Sequence, residues 1–453
     1  MTFVRSARQI VAHAWPMLIA QLASMGMMVI DTVLLGHYGT EDLAAVAVGS
    51  GIYVAVVLAL SGVVQAVAPV VAQLKGAGKN DELVGVLWQG FWLALFLSVS
   101  GIASLLHPDP LLALTALDAG VEAKARTYLG ALAWGVPAWL LYRTFYAFYL
   151  AVGHPRPLMI ISLLCMLAHG VFASALVRGA WHGVWEGVWE GQALGALGCG
   201  ISNAAVGWLA LIAAATHART SRTLRGYWAF PARRRPRLDV QWELLRLGMP
   251  MGFSSFVEIS AFTFIALFVA QLGTAVVAGH RIVANLAGIC YMLPLSLALA
   301  TLPGVGQAVG ARDWSGARTT AAAGLTVASV VSLLFGFVLW LGRMPLIEVY
   351  TDDAAVREVC LSLIPYLASY QIFDAVQTVA AHVLRGYKVT FLPMLVHVVA
   401  FWGVGLFGGW WLGLRAPQAM GAAGFWLASL LSLVFVSVLL GGLLWWVARV
   451  RER

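Results

Sequence analysis

The stretch Trp15–Leu35, WPMLIAQLASMGMMVIDTVLL, is long enough and apolar enough to cross a lipid bilayer on its own. The hydrocarbon core of a membrane is crossed by a helix of about 20 predominantly apolar residues. Because an unpaired backbone amide is costly in hydrocarbon, a segment of this kind is expected to form its hydrogen bonds internally, as a helix. The stretch therefore predicts a membrane-spanning helix, and it carries one acid, Asp31.

Eleven further apolar runs of similar length follow, and the composition agrees, with 61% hydrophobic and 11% charged residues. The twelve predicted segments cover residues 14–35, 44–72, 85–106, 126–150, 157–179, 193–216, 244–270, 278–309, 318–341, 361–385, 391–413 and 420–448. Such long apolar runs favour helices over the alternating strands of a membrane barrel. The predicted fold class is an all-α integral membrane protein with twelve transmembrane helices.

Glycines, prolines and glutamines recur at a constant spacing of 234 positions. The pairs are Pro16 and Pro250, Gly39 and Gly273, Pro69 and Pro303, Gln73 and Gln307, and Gly76 and Gly310. Since six segments fall in each half, both copies enter the membrane from the same side, as in parallel transporter repeats. We expect an N-terminal six-helix lobe at 1–218, a basic cytoplasmic linker at 219–240 and a C-terminal six-helix lobe at 241–453, related by pseudo-two-fold symmetry along the membrane normal.

The basic residues predict the orientation of the chain. They concentrate in alternate loops and at both termini, at Arg5, Arg8, Lys75, Lys79, Arg156, 219–237, Arg312, Arg318, Arg385, Lys388 and 449–453. Cytoplasmic loops carry an excess of Lys and Arg, so both termini should be cytoplasmic. This distribution explains the net charge of +8 without a nucleic-acid partner. We expect a multi-pass, monomeric protein of a bacterial inner membrane, in contact with membrane lipid.

Two carboxylates lie near the midpoints of predicted helices in the C-terminal lobe. They are Glu258 in the seventh segment and Asp374 in the tenth. Tyr370, Asp374 and Gln377 follow one another at positions i, i+4 and i+7, which places three polar groups along one helical stripe. An acid in mid-membrane costs about 2.5–3.5 kcal/mol on insertion scales and is a functional candidate by default. The acids could share a sodium ion, carry a proton, or only hydrogen-bond between helices.

Other polar residues in the segments are weaker candidates. Asp31 lies closer to the outer end of the first segment, where a carboxylate reaches water at lower cost. His169 and His397 stand alone in apolar segments and are interpreted as packing side chains. Phe262, one turn after Glu258, could stack on a cationic ligand. Only its position beside Glu258 favours this over a packing role.

Several of these residues, with their neighbours, resemble the multidrug and toxic compound extrusion (MATE) transporters, and within them the NorM-like branch. The motifs are Trp15-Pro16, Asp31-Thr32, Gly36-His37-Tyr38-Gly39, Pro69 with Gln73 and Gly76, Glu258, Ala278-Gly279-His280, Pro303 with Gly310, Tyr350-Thr351-Asp352-Asp353, Tyr370 with Asp374, and Leu384-Arg385-Gly386-Tyr387-Lys388. The resemblance covers essentially the whole chain. It implies two six-helix lobes that export organic cations in exchange for sodium ions or protons.

The resemblance also implies roles for single residues. Glu258, Tyr370 and Asp374 correspond to a coupling-ion site, which would hold the metal if the ion is sodium. Asp31 corresponds to the acid of the first lobe that couples protons and drug.

The substrate-binding candidates come from the same resemblance and from the polar stripe. They are Phe262, Arg281, Asp352, Asp353 and Gln377. Arg281 stands where relatives often have Gln, and a positive charge there would disfavour cationic drugs if it faces the cavity.

The expected function is therefore a cation-coupled multidrug efflux antiporter that works by alternating access. Its partners would be small organic cations and drugs, with no cofactor other than the coupling ion. The alternative is a flippase for lipid-linked saccharides of the same superfamily, although the charges predicted at mid-membrane are acidic rather than phosphate-binding. An enzyme is disfavoured because no His or Asp cluster has metal-ligand spacing.

Overall fold

The computed structural model describes residues 2–113, 117–179, 191–228 and 234–451, and within these ranges every regular element is helical. The first half contains α1 (Phe3–Tyr38), α2 (Thr40–Val64), α3 (Val67–Gly76), α4 (Leu83–Leu106), α5 (Asp109–Leu112), α6 (Ala119–Ala133), α7 (Val136–Ala151), α8 (Arg156–Arg178), α9 (Ala196–Thr220) and α10 (Arg222–Trp228). The second half contains α11 (Leu238–Val269), α12 (Thr274–Gly310), α13 (Trp314–Leu341), α14 (Arg343–Glu348), α15 (Ala354–Gly386), α16 (Phe391–His397), α17 (Gly408–Trp410) and α18 (Ala422–Val450). The all-α prediction is confirmed.

The predicted membrane segments are present as helices. Within the described ranges, eleven helical spans are long and apolar enough to cross a membrane. The remaining predicted segment, 126–150, is formed by α6 and α7, which are separated at Trp134 and Gly135. The break follows from the sequence, because Pro137 lies in the first turn of α7, where the missing amide of proline leaves no hydrogen bond unmade.

The chain forms two compact units. Unit 1 consists of Met1–Leu18, Ala72–Gly78 and Phe253–Arg453, and unit 2 of Ile19–Val71 and Lys79–Gly252. These units are composed differently from the predicted lobes, because α1 and α11 each contribute to both. In both helices the division falls two residues after a proline, at the equivalent positions Pro16 and Pro250. The lobes at 1–218 and 241–453 remain a prediction.

The core of unit 1 is centred on α15, which packs against α12, α13 and α18. Leu363, Leu367 and Val383 of α15 are completely buried there. Gly279 lets α12 approach closely, since a Cβ at this position would lie 2.6 Å from a methyl group of Val359. Small residues at helix crossings are the usual means of close packing in membranes. This packing holds the helix that carries Asp374.

In unit 2 the corresponding central helix is α9, which packs against α6, α7 and α8. Two glycines permit the contact: a Cβ on Gly135 would lie 2.8 Å from the Cα of Ala204, and a Cβ on Gly200 would lie 2.9 Å from the carbonyl oxygen of Tyr128. Helices α8 and α9, which also pack against each other, carry polar side chains described below.

The predicted linker, 219–240, is described at 219–228 and 234–240. Its second part is hydrogen-bonded to side chains of α4, among them the amide of Gln89. Gln89 donates to the carbonyl oxygen of Arg235 at 2.8 Å and accepts from the backbone amide of Arg237 at 2.8 Å. Gln241 of α11 donates to the backbone oxygen of Gln89 at 2.9 Å. The described end of the linker is therefore fixed to unit 2.

Helices α3 and α12 cross within unit 1 at repeat-related residues. A Cβ on Gly76 would overlap the carbonyl oxygen of Gln307, and a Cβ on Gly310 would overlap that of Gln73. At the offset of 234, Gly76 corresponds to Gly310 and Gln73 to Gln307, so each contact is the repeat equivalent of the other. The repeat predicted from sequence is therefore also a repeat of contacts. The Gln73 side chain donates to the carbonyl oxygen of Gly386 at 2.8 Å, which ties α3 to α15.

Gly310→Ala should therefore destabilise the protein, because the added methyl group would meet rigid backbone. Overpacking of this kind costs about 1–3 kcal/mol. We expect a lower thermal midpoint for the detergent-solubilised protein in fluorescence-detected gel filtration. Gly288→Ala on the same helix is the matched control, since a Cβ there meets no atom within 4 Å. Equal midpoints for both variants would contradict the contact.

Candidate functional site

The two predicted acids of unit 1 lie close enough for their charges to interact. Glu258 on α11 is half-buried, Asp374 on α15 is only 7% exposed, and the two side chains lie within the range of electrostatic interaction. The hydrophobic cluster around α12, α13, α15 and α18 surrounds Asp374. The structure thus brings Glu258 and Asp374 together in the interior of one unit.

The stripe on α15 faces the interior along its length. Tyr370, Asp374 and Gln377 are 3%, 7% and 2% exposed. The Gln377 amide donates to Asp374 Oδ1 at 3.1 Å and to Thr378 Oγ1 at 3.0 Å. Gln377, a predicted substrate-binding residue, therefore already donates a hydrogen bond to Asp374. A hydrogen bond to an ionised carboxylate is stronger than one between two neutral groups, so it fixes the position of the carboxylate more firmly.

An aromatic stack fixes the ring of Tyr370. Its ring lies parallel to that of Trp426, with centroids 6.0 Å apart. The Trp426 indole in turn donates to His280 Nδ1 at 3.2 Å. Offset stacking of this kind restricts a tyrosine to one orientation. The Tyr370 hydroxyl is consequently held in the neighbourhood of Asp374, with which it interacts electrostatically.

The sequence pattern does not reveal a basic residue of this site. The charge distribution predicts only that Arg385 lies on the cytoplasmic side. In the structure it lies in the last turn of α15, half-buried and close enough to Glu258 and Tyr291 for electrostatic interaction. Its guanidinium donates to His382 Nε2 at 3.2 Å. That bond makes Nε2 an acceptor, so Nδ1 of His382 donates to the Thr378 carbonyl oxygen at 2.8 Å. With both carboxylates ionised, the two acids and the one guanidinium would give this site a formal charge of −1.

Asp31 lies in unit 2 and has a partner that the sequence does not reveal. It is 6% exposed and lies 2.8 Å from Nε2 of His169, which is completely buried. Ser202 of α9 is 3.1 Å from the other ring nitrogen of His169. The interpretation of His169 as a packing side chain overlooks this pair. His397, interpreted in the same way, is buried against Phe401, with ring centroids 5.6 Å apart.

The remaining substrate candidates lie at exposed positions. Phe262 is 43% exposed, and Arg281 and Asp352 are also exposed. The carboxylate of Asp353 caps α15 by accepting from the amides of Ala355 at 2.8 Å and Val356 at 3.2 Å. A capping side chain satisfies amides that have no partner within the helix, so Asp353 contributes to the structure of α15.

The donor set of unit 1 suits a monovalent hard cation. Throughout the described ranges, no group of three or more His, Cys, Asp or Glu residues is placed to hold a metal ion. The predicted site has two carboxylates and a tyrosine hydroxyl, so it contains only two residues of these four types. Its donors are all oxygens, which hard cations prefer.

The chain is therefore a multi-pass helical membrane protein with internal repeats and an acid buried in each compact unit, which is the construction of a secondary transporter. The MatE family model matches residues 16–174 and 250–411, two ranges that begin 234 positions apart. The chain belongs to the MatE family.

Curated relatives align with this chain over nearly their whole length. The "Probable multidrug resistance protein NorM" of Aromatoleum aromaticum is 51% identical over 435 residues, which cover 95% of this chain and 92% of the relative. The "Multidrug resistance protein NorM" of Vibrio vulnificus is 32% identical over 449 residues, covering 99% of this chain and 97% of the relative. Both place the chain with NorM-like members of the family.

Solved structures share the fold at low sequence identity. The eukaryotic MATE transporter AtDTX14 superimposes with a TM-score of 0.84 at 20% identity, covering 99% of both chains. A MOP superfamily transporter from Pyrococcus furiosus gives a TM-score of 0.86 at 15% identity, covering 99% of this chain and 97% of the other. The predicted class, twelve transmembrane helices in two six-helix lobes, is confirmed.

Gln377→Leu should destabilise the protein because it leaves the buried Asp374 carboxylate without its amide donor. Hydrogen bonds to charged groups are worth about 1.5–3 kcal/mol. In an Asp374→Asn background the same change should cost less, since the charge is gone. Thermal unfolding of the two single variants and the double variant measures this coupling. Strictly additive effects would show that the bond contributes nothing to stability.

Proposed function

We propose that this protein exports organic cations from a bacterial cell in exchange for sodium ions or protons, by alternating access. Membership of the MatE family and relatives named as multidrug resistance proteins support the direction and substrate class. The single observation that carries the mechanism is the convergence of Glu258 and Asp374 beside Arg385.

The charge balance of this site explains exchange. With one net negative charge, the site is neutralised by one monovalent cation. A bound sodium ion or proton then leaves little attraction for a cationic drug, and a bound drug leaves little for the ion. Glu258, Tyr370 and Asp374 would hold the ion, which is cargo rather than a resident cofactor. Each ligand would shift the conformational equilibrium by its different affinity for the inward-open and outward-open states.

The direction of transport requires the ion to enter the cell. Moving one elementary charge through 100 mV yields about 2.3 kcal/mol, to which the concentration gradient of the ion adds. We propose that both termini are cytoplasmic, in the inner membrane, and that a monomer suffices, with lobes 1–218 and 241–453 providing the two halves of the transport path. Parallel repeats of this type commonly move against each other around a central site.

Drug contacts are proposed at exposed side chains and at the edge of the ion site. Phe262 offers an aromatic face, and Asp352 offers a negative charge. Gln377 and Asp353 remain candidates, although both already make the hydrogen bonds described above. Arg281 would act against cations, so its position decides the substrate range.

The flippase alternative is not favoured. Lipid-linked saccharides carry phosphate, which requires basic side chains in the interior, whereas the interior groups include the buried acids Asp31 and Asp374 and the half-buried Glu258. A role as an enzyme is likewise not proposed, since the family is one of transporters.

Asp374→Asn should abolish drug-driven ion exchange in proteoliposomes, because the site loses the charge that attracts both cations. Ethidium efflux is measured under a sodium gradient and a pH gradient imposed separately, which also identifies the coupling ion. Asp239→Asn is the matched control: it removes an exposed acid on α11 that pairs with Arg237. We expect the control to transport at the wild-type rate. An Asp374→Asn variant that exchanges normally would refute the assignment.

Arg281→Gln should widen the range of exported cations if Arg281 faces the transport path, because a fixed positive charge repels them. The measurement is the minimum inhibitory concentration of a panel of cationic and neutral compounds in a drug-sensitive strain. We expect higher values for the cationic compounds only. An unchanged panel would exclude Arg281 from the path.

A further inference from the structure

A small cavity lies inside unit 2, between α1, α7, α8 and α9. Its polar lining includes Ser24 of α1, Trp139, Tyr142 and Arg143 of α7, and Ser162 of α8. The volume of the cavity is about 20 Å³. Because about 10–15 Å³ holds one water molecule, the cavity has room for a small ion or for one charged group of a larger molecule.

Arg143 is the only residue of the lining that carries a permanent charge. It lies in the middle of α7, and a basic residue at such a depth is a functional candidate. Among the residues that the structure describes, none of the ion pairs includes Arg143. The acids buried in the described part of unit 2 already have partners: Asp31 bonds to His169, and Asp42 pairs with Lys124. The charge of Arg143 is therefore not balanced by a carboxylate of the protein.

A second donor lies beside this guanidinium. The hydroxyl of Tyr142 has no hydrogen-bond partner, although Tyr142 is only 4% exposed. The Ser162 hydroxyl lies near it but outside hydrogen-bonding geometry. The Arg143 guanidinium is held over the ring of Tyr146, 5.4 Å from its centroid. A buried hydroxyl without a partner is costly, so it is expected to donate to a ligand, and a guanidinium can only donate.

The helices that line the cavity have counterparts in the other copy of the repeat. Helix α6 begins at Ala119 and α7 ends at Ala151, whereas α15 begins at Ala354 and ends at Gly386. Both ends are 235 positions apart, one more than the offset of 234 between α1 and α11. Helices α6 and α7 together are therefore the repeat counterpart of the single helix α15.

These offsets make the cavity of unit 2 the counterpart of the ion site of unit 1. The lining residues that replace its two acids and its amide are uncharged: Ser24 for Glu258, Trp139 for Asp374 and Tyr142 for Gln377. Arg143, the next residue of α7, stands where α15 has Thr378. The two equivalent positions in the repeat thus have opposite polarity, acidic in unit 1 and basic in unit 2.

We propose that the cavity of unit 2 binds a monovalent anion, held by the guanidinium of Arg143 and the hydroxyl of Tyr142. The anion is the carboxylate group of an organic molecule or a free halide, because both are small and both accept hydrogen bonds from such donors. The proposal rests on the proposed function for its role in transport, where it extends the substrates from organic cations to compounds that also carry a carboxylate. Anion binding itself does not depend on that function.

The first experiment measures binding of an organic carboxylate to the full-length protein in detergent. The probes are a rhodamine dye with a free carboxylate and its methyl ester, which lacks the negative charge, and fluorescence polarisation reports the binding of both. Arg143→Gln should weaken binding of the carboxylate dye at least about tenfold, the factor typical of a lost hydrogen bond to a charged group. Binding of the ester should not weaken. Arg143→Lys keeps the charge and should retain part of the affinity.

Two further variants separate anion binding from a structural role. Arg156→Gln is the matched control, since Arg156 is an exposed arginine at the start of α8, outside the cavity lining. It should bind both dyes as the wild-type protein does. Tyr142→Phe removes only the unpaired hydroxyl, so a purely structural role predicts unchanged dye binding. An anion site predicts weaker binding of the carboxylate dye alone.

The second experiment distinguishes the two sources of the anion. Sodium chloride is titrated while the thermal midpoint is measured, because a ligand of the folded state raises the midpoint. General effects of salt should be the same in Arg143→Gln and Arg156→Gln. A rise that only Arg143→Gln abolishes assigns the site to a free halide, and Arg143-dependent dye binding without that rise assigns it to an organic carboxylate.

The inference is overturned if Arg143→Gln changes neither dye binding nor the response to chloride. Neither measurement involves transport. Absence of ethidium efflux from proteoliposomes of the wild-type protein would therefore count against the proposed function alone, and the two binding experiments would still decide whether the cavity holds an anion.

Discussion

A carboxylate inside a membrane protein is costly, and the arrangement of polar groups in this chain depends on how each such charge is compensated. On insertion scales an acid at mid-membrane costs about 2.5–3.5 kcal/mol. Unit 1 compensates two acids with one guanidinium, that of Arg385, and with the amide of Gln377. Unit 2 compensates Asp31 with the imidazole of His169 and Asp42 with the ammonium group of Lys124. In each unit, helices cross closely at glycines, and this close packing brings the acids near their compensating partners.

The scaffold could be predicted from the sequence because its signals are local or periodic. The lengths of the apolar runs predict the helices, and the matched Pro16 and Pro250 predict the repeat. Segment 126–150 differs only in being broken, and Gly135 with Pro137 explain the break. The stripe of Tyr370, Asp374 and Gln377 was also predictable, since helical spacing alone places residues at i, i+4 and i+7 on one face.

The partners of the acids could not be predicted in the same way. His169 pairs with Asp31 across 138 positions, and no periodicity within a helix relates residues on different helices. The electrostatic contact of Arg385 with Glu258 could not be predicted for another reason. Arg385 is the last residue of the predicted segment 361–385, where the positive-inside rule reports only the side of the membrane, whereas its contacts depend on how α15 packs.

The repeat has kept its backbone contacts but not its charges. Under the offset of 234, Gly76 and Gly310 correspond and make reciprocal contacts, whereas Asp31 corresponds to Ile265 and Glu258 to Ser24. Glycines at a crossing are constrained by the backbone of the partner helix, and that constraint is the same in both copies. A buried acid is constrained by its compensating partner, which differs between copies.

This asymmetry bears on how one drug could be exchanged for one ion. If both units had the same site, they would be expected to bind the same ion with the same affinity. The two acids of unit 1 lie near a guanidinium and an amide, and the acid of unit 2 lies against an imidazole, so the exchange of ion for drug proposed above is assigned to the site in unit 1.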